Sequence, residues 1–368
     1  MRLDALRLAN AATRGLRAYD PGHDLPALRR EHGSLLVELG SNENPLGPSP
    51  RAVAAAQAAL TELHRYPDPQ GMALKQALAA RLGVDVARIT LGNGSHELLM
   101  LLAQCFADAH TSVVYSQYGF AVFSIAAAAA GAQAIVVPAL PAGHAEAPLG
   151  HDLAAIAAAV RADTRLVYLA NPNNPTGTWF GDAEFAAFLA AIPREVLVVV
   201  DEAYHEYTDV PDLSTALALL PAHPNLIVTR TFSKAYGLAA LRVGYAISAP
   251  EIAAVLERLR ESFNVNGPAQ AAAQAALADS AHVQRVRDTT SGERGRLATR
   301  LRERGWRVGP SQTNFLLVDL GRPAAEIERV LFAHAVVVRP MTGYGLPTCL
   351  RITVGSREEN RRLLEALP

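Results

Sequence analysis

Val196-Leu197-Val198-Val199-Val200-Asp201-Glu202 is the stretch on which the fold turns. Its apolar run has no polar face, as in a central strand covered by helices on both sides. The two carboxylates follow at the carboxyl end of that strand, where open α/β sheets bind their ligands. On either side, from about residue 45 to 260, helical patterns alternate with short β-branched runs at 89–91, 113–115, 135–137, 166–169, 196–200, 226–229 and 243–247. This alternation is the mark of βαβ units. It predicts an α/β fold whose large domain holds a mainly parallel seven-stranded sheet flanked by helices. Ser49-Pro50 reads as the cap and first turn of an alanine-rich helix that stops before Tyr66-Pro67.

After about residue 262 the texture changes to two long polar helices and then strand-like segments at 314–319, 336–339 and 350–354. Ser356 with Glu359 three residues on is the pattern of a capping box opening a last helix. A smaller α+β domain is expected here, with the irregular N-terminal arm packed on it. The expected division is 1–44 for the arm, 45–261 for the large domain and 262–368 for the small one.

The chain has 368 residues, enough for two domains with ordinary cores, which excludes a peptide hormone or a small disulfide scaffold. With 34 Lys+Arg against 35 Asp+Glu, no global field would collect nucleic acid or an anionic membrane. Any anion must be held locally. Cys105 and Cys349 form no ligand-spaced pattern, which points to a reducing compartment, with cytoplasm the expectation, and away from structural zinc. Asp4 and Arg7 interrupt the place of a secretory signal. The weakly polar stretch 121–140 reads as a buried helix followed by a strand rather than a membrane span. The arginines of 285–304 are interspersed with Asp288, Glu293 and Glu303 and read as a solvated helix face rather than a nucleic-acid surface.

Gly92-Asn93-Gly94-Ser95 follows a predicted strand and opens a predicted helix, so its backbone N–H groups converge on one point. That is an anion cradle, suited to phosphate, or else a tight turn with Ser95 as a cap. The third glycine of a dinucleotide fingerprint and the Gly-Lys-Ser/Thr of a nucleotide loop are both missing, so NAD and ATP lose weight. Asp201-Glu202 admits three readings: an ATPase-style magnesium site, a metal site with His205 and Glu206, or a buried acid facing a cationic cofactor ring. Thr231-Phe232-Ser233-Lys234-Ala235-Tyr236-Gly237, then Leu241-Arg242, decides for the third. A lysine just past a strand end, partly desolvated, is an amine nucleophile, and Ser233 and Arg242 suit a phosphate. Asn171-Pro172-Asn173-Asn174-Pro175-Thr176-Gly177 is either a rigid turn or a loop that presents an asparagine amide to a ligand oxygen.

In this order across nearly the whole chain, Gly-Asn-Gly-Ser, Asn-Pro-Asn-Asn-Pro-Thr-Gly, Asp-Glu-Ala-Tyr and Ser-Lys-Ala-Tyr-Gly with Arg eight residues after the Lys resemble the fold-type-I pyridoxal-phosphate aminotransferases. Ser41-Asn42-Glu43-Asn44-Pro45, Arg65-Tyr66-Pro67 and Leu350-Arg351-Ile352-Thr353-Val354-Gly355 are similar to the histidinol-phosphate aminotransferase branch. The resemblance implies pyridoxal phosphate attached to Lys234, with Asp201 paired to the pyridine nitrogen. It implies Asn174 and Tyr204 at the ring hydroxyl oxygen and Tyr118 stacked on the ring. Gly94, Ser95, His96, Ser233 and Arg242 would surround the phosphate, and Arg339, Arg351, Asn44 and Tyr19 would lie on the substrate side. Tyr66 would reach the site of a partner subunit, so a homodimer is implied.

The implied function is amino transfer from L-histidinol phosphate to 2-oxoglutarate, a step of histidine biosynthesis. An aromatic amino acid aminotransferase, a phosphate-ester decarboxylase on the same fold, and a metal- or nucleotide-dependent hydrolase using Asp201 and Glu202 are the alternatives. Two departures bear on substrate preference: His96 stands where the family has Asp, and Ser116-Gln117 where many relatives have Pro-Thr.

Overall fold

The computed structural model describes residues 4–16 and 23–368. Seven strands form one sheet: β1 (Ile89–Gly92), β2 (Ser112–Ser116), β3 (Gln133–Val137), β4 (Thr164–Ala170), β5 (Leu197–Asp201), β6 (Leu226–Thr231) and β7 (Gly244–Ile247). Their order is β1-β7-β6-β5-β4-β2-β3, and only β7 runs antiparallel to its neighbours. Every predicted strand of the large domain is present, and the apolar run 197–200 lies in the central one. In register, Ala170 of β4, Asp201 of β5 and Thr229 of β6 stand side by side at one edge of the sheet.

Helices cover both faces, as a strand with no polar face requires. Ser95–Phe106, Ala121–Ala129 and Pro250–Leu259 bury Leu98, Phe123 and Leu256 on one face. Met72–Leu82, Leu153–Ala158 and Asp182–Ala191 bury Leu78, Ile156 and Phe188 on the other. The stretch 121–140 is a buried helix followed by β3. Among the described residues no helix is long and apolar enough to cross a membrane.

The first helix after residue 262, Gly267–Leu277, is alanine-rich rather than polar. Ala269, Ala272, Ala273 and Ala276 are buried, and small side chains let its backbone approach helix Pro50–Ala59 closely. It thus contributes to the core of the larger unit although it follows residue 261. Ser49 Oγ accepts from the Arg51 N–H at 3.2 Å and donates to Asp279 at 2.5 Å. Asp279 in turn caps the long helix Ser280–Glu303, so one bond links two helix starts.

That long helix enters the small unit, where Leu297 and Leu301 pack under an antiparallel sheet. Its order is Arg339–Met341, Leu346–Thr353, Phe315–Asp319, Arg307–Val308. The expected run 336–339 divides in two because its halves have different partners. Val336–Val337 pairs in parallel with Val37–Glu38, while Arg339 begins the strand beside Leu346–Thr353. The N-terminal arm therefore joins the small unit, and the Thr353 N–H also donates to the Leu39 carbonyl at 2.7 Å. The last helix, Arg357–Ala366, opens with the Ser356–Glu359 capping box. On Ser280–Glu303, Arg300 pairs with Glu303 on the exposed side, but Glu293, which takes Arg296, is buried and also accepts from Asn360, and Arg294 is buried against Asp209 and the Thr313 carbonyl.

Candidate active site

A cavity of about 310 Å³ lies between the two units, at the carboxyl ends of β4, β5 and β6. Ten of the expected site residues line it: Ser95, His96, Asn174, Asp201, Tyr204, Ser233, Lys234, Arg242, Arg339 and Arg351.

One end is built for an anion. β1 stops at Gly92, and Gly94, at φ +84°, turns the chain into helix Ser95–Phe106. A Cβ at Gly94 would meet the Arg242 guanidinium, so only glycine lets that guanidinium close on the turn. Arg242 Nη1 donates to Ser233 Oγ at 3.2 Å, and Thr231 Oγ1 donates to the same oxygen at 2.9 Å. With its lone pairs so engaged, the Ser233 hydroxyl has its own proton to give to an anion. His96 stands beside this cradle; burial, and then the charge of Arg242, lowers its pKa, so the ring is held towards neutrality. Gly237, at φ +70°, brings the lysine loop against the Gly47–Pro48 backbone, another approach that leaves no room for a Cβ.

At the other end stands the strand-end row. Asp201, 4 % exposed, accepts from Thr229 Oγ1 at 2.9 Å. Burial pushes its pKa up to about 7, against the opposing effects of Thr229 and Lys234. A cation placed against it would restore the carboxylate. Lys234 Nζ donates to the carbonyls of Ser41 and Asn42, each at 3.2 Å. Burial, followed by the charges of Arg351 and Arg242, brings its pKa down to about 8. Tyr204 packs edge-on against Phe315 at 5.3 Å, and its oxygen accepts from Asn42 Nδ2 at 2.9 Å. Burial pushes this phenol up to about 12, so it keeps a proton that it can donate.

From the small unit, Arg351 Nη1 donates to Asn174 Oδ1 at 2.8 Å and Nη2 to the Gly40 carbonyl at 2.6 Å, with its carbon 5.4 Å over the Phe315 ring. Arg339 lies on the neighbouring strand, in register with Arg351. Two guanidiniums thus face the lysine and the buried acid across one cavity.

Three expected residues are elsewhere. Asn44 braces the loop before helix Pro50–Ala59, donating to the Ala235 carbonyl at 3.0 Å and the Gly47 carbonyl at 3.3 Å. Tyr118 borders the cavity only through its loop: its carbonyl accepts from Asn173 Nδ2 at 2.8 Å and its hydroxyl from Gln117. Tyr66 is 82 % exposed and stacks on Phe263 at 4.6 Å, away from this chain's cavity. Tyr19 lies outside the described residues.

Three contributors were not singled out in advance. Asn42, at φ +56°, touches both Lys234 and Tyr204; the Ser41–Pro45 motif that contains it is legible in the sequence, but its contacts are not. Thr229 aims Asp201. Tyr344, on the cavity wall, accepts the Ala121 N–H at 3.0 Å across the two units.

Glu202 faces away from the cavity. Its carboxylate takes Arg230 Nε and Nη2 at 2.9 and 2.7 Å, the Thr215 hydroxyl and the Ala216 N–H. A magnesium or hydrolytic role for the Asp201-Glu202 pair has no second free carboxylate to work with. Among the described residues no group of three or more His, Cys, Asp or Glu could hold a metal ion. By contrast an anion cradle, a depressed lysine and a buried acid awaiting a cation match the phosphate, the aldehyde and the pyridine nitrogen of pyridoxal phosphate.

Residues 35–367 match the family described as aminotransferase class I and II. The chain is 49% identical over 367 residues to histidinol-phosphate aminotransferase 2 of Pseudomonas fluorescens strain Pf-5, covering 99% of this chain and 97% of the relative. It is 47% identical over 362 residues to histidinol-phosphate aminotransferase 1 of Nitrosococcus oceani, covering 98% and 96%. Its structure is similar to the crystal structure of histidinol-phosphate aminotransferase from Sinorhizobium meliloti in complex with pyridoxal-5'-phosphate, with TM-score 0.87, 34% identity and coverage of 98% and 96%. A profile match over this length and relatives this near agree with the cavity chemistry, and the chain belongs to the aminotransferase class I and II family.

Proposed function

We propose that this chain is a pyridoxal-phosphate enzyme that moves the amino group of L-histidinol phosphate to 2-oxoglutarate, giving imidazole acetol phosphate and glutamate. The observation that carries it is one cavity in which Lys234 and Asp201 face Arg351 and Arg339. Relatives named for this reaction, 47–49% identical over nearly the whole chain, support the choice of substrate.

When bound, the cofactor supplies an electrophilic carbonyl and a ring that accepts electrons. Asp201 holds a proton on the ring nitrogen, a pairing that also removes the cost of its own burial. Ser233, Ser95, Arg242 and the N–H groups after Gly94 take the phosphate. Asn174 and Tyr204 direct N–H and O–H at the ring oxygen. Lys234 Nζ, with a pKa about 8, has a neutral fraction at working pH and serves as nucleophile and as carrier of the proton on the carbon that bears the donor amine. Arg351 and Arg339 take the substrate's anionic end, a phosphate ester in one half-reaction and a carboxylate in the other, since a planar guanidinium suits either.

Phe120 and Met341 also line the cavity and give an apolar wall for a flat ring, which keeps phenylalanine and tyrosine as the second reading. The homodimer is part of the same proposal. Tyr66, Leu63 and Leu60 are 82 %, 65 % and 52 % exposed, an apolar patch suited to a second copy. A cytoplasmic setting fits two free cysteines.

The test is to mix cofactor-loaded enzyme separately with L-histidinol phosphate, phenylalanine, tyrosine and glutamate and compare single-turnover rates. Histidinol phosphate should rank first among the ring-bearing donors. Phenylalanine ahead by more than about tenfold, 1.4 kcal/mol of barrier, would transfer the assignment to the aromatic amino acids.

A further inference from the structure

A second cleft, about 850 Å³, lies on the far side of the strands that carry the active site. Its floor is made by Arg230 of β6 and Tyr245 of β7. Arg81 at the end of helix Met72–Leu82, Arg88 and Arg287 stand on its walls. Arg230 is neutralised by Glu202 at 2.7 Å. Arg81 and Arg287 make no ion pair among the described residues, and Arg88 gives one N–H to the Ser248 carbonyl at 3.3 Å.

The opposing charge is small. Asp85 is at the rim, where its carboxylate caps the Ala87 N–H. Glu206 lines the cleft itself, where burial pushes its pKa up to about 7 despite Arg230, so it carries only part of a negative charge near neutrality. Burial also lowers the pKa of His205, against the opposing charge of Glu202, which favours the neutral ring. Leu217, Leu220, Leu277 and Val283 complete the walls, giving a carbon skeleton apolar surface between the guanidiniums. None of these residues lines the reaction cavity. The cleft is nonetheless one residue away from it at several points: Thr229 and Thr231, which hold Asp201 and Ser233, flank Arg230, and Tyr204 precedes His205.

We propose that this cleft is a binding site for a small organic anion, a phosphate monoester or a di- or tricarboxylate, held chiefly by Arg81 and Arg287 with its skeleton on the leucine wall. A planar guanidinium binds either anion through paired N–H groups, and charge-assisted bonds of this kind are the strong ones.

The experiment is calorimetric titration of the cofactor-loaded enzyme with glycerol 3-phosphate, citrate and inorganic phosphate. It is carried out on the wild type, Arg81→Gln/Arg287→Gln, the single charge reversal Arg81→Glu, and Arg351→Gln. The expected result is a binding event that survives Arg351→Gln, weakens by about tenfold or more in the double variant, and weakens in Arg81→Glu, with turnover in the absence of the probe unchanged in both cleft variants. Tighter glycerol 3-phosphate than citrate would mark a phosphate ester, and the reverse order a carboxylate ligand. The proposal is overturned if all binding disappears with Arg351→Gln, if the double variant binds as the wild type does, or if inorganic phosphate binds as tightly as the organic anions.

Discussion

Arg351 of the small unit donates from Nη1 to Oδ1 of Asn174 in the large unit at 2.8 Å. This bond settles which way the asparagine amide faces, because its oxygen is occupied and its NH₂ is left to turn towards a ligand. The same guanidinium donates to Gly40 in the N-terminal arm, so one side chain ties together three parts of the chain around the cavity.

Arg351→Ala should therefore raise the KM of both the amino donor and 2-oxoglutarate, since charge-assisted bonds of about 1.5–3 kcal/mol each are lost in both half-reactions. The cofactor should remain, because the proposed assignment gives its phosphate, ring nitrogen and carbonyl to other residues. Steady-state kinetics with each substrate varied, together with the visible absorption of the purified variant, read both parts. A colourless variant, or one impaired for a single substrate, would remove Arg351 from the shared anion site.

The amine of Lys234 reacts in its neutral form, so its depressed pKa has a direct kinetic expression. With the pKa near 8 instead of 10.5, attachment of cofactor to the apoprotein should speed up about tenfold per pH unit on the acid side and level off from about pH 8. After burial, Arg351 is the next largest cause of that depression, so Arg351→Gln should move the levelling point to higher pH. Stopped-flow absorbance across the pH range gives both curves. A wild-type rate still climbing at about pH 10 would mean that the lysine is not desolvated.

The parts of this molecule visible in its sequence are those whose physics is local. Seven β-branched runs became seven strands because each is bounded by its own turn or cap, and Lys234 and Asp201 were found because each sits just past such a run. Asn42 escaped notice because its role is set by distant partners: Tyr204 accepts from its side chain, and its N–H reaches the Thr353 hydroxyl at 2.9 Å. The bond between Tyr344 and Ala121, 223 residues apart, is equally invisible to pattern reading. The helix Gly267–Leu277 misled for another reason. Glutamines among alanines look polar in one dimension, whereas the alanine stripe is what packs.

Glu202 and Asp201 are adjacent in sequence, but Asp201 lines the cavity and Glu202 faces Arg230, which makes Glu202 a test of the site's limits. Glu202→Gln leaves the Arg230 guanidinium buried without its counter-charge, which should cost about 3–5 kcal/mol of folding stability. Burial by itself would raise the pKa of Glu202, but Arg230, His205 and the Ala216 N–H hold it below 4.5. Its contribution is therefore complete above about pH 4.5 and is lost as the pH falls through the folded-state value. Urea unfolding of variant and wild type should show a wide gap at neutral pH that narrows on acidification. A variant of unchanged stability but no activity would instead return Glu202 to the chemistry.

Tyr66 is exposed and does not line its own chain's cavity, which makes sense if it serves a second copy. In that arrangement each site takes Lys234 from one protomer and Tyr66 from the other. Tyr66→Ala should lower turnover, and Lys234→Ala should abolish it while the fold is kept. Co-refolding the two in equal amounts creates heterodimers in which one site has an intact lysine and an intact tyrosine. With random pairing, about half the dimers are mixed and each carries one whole site, so the mixture should recover about a quarter of wild-type activity. If Tyr66 served its own chain, every heterodimer would hold two damaged sites and the mixture would not exceed the mean of its parents.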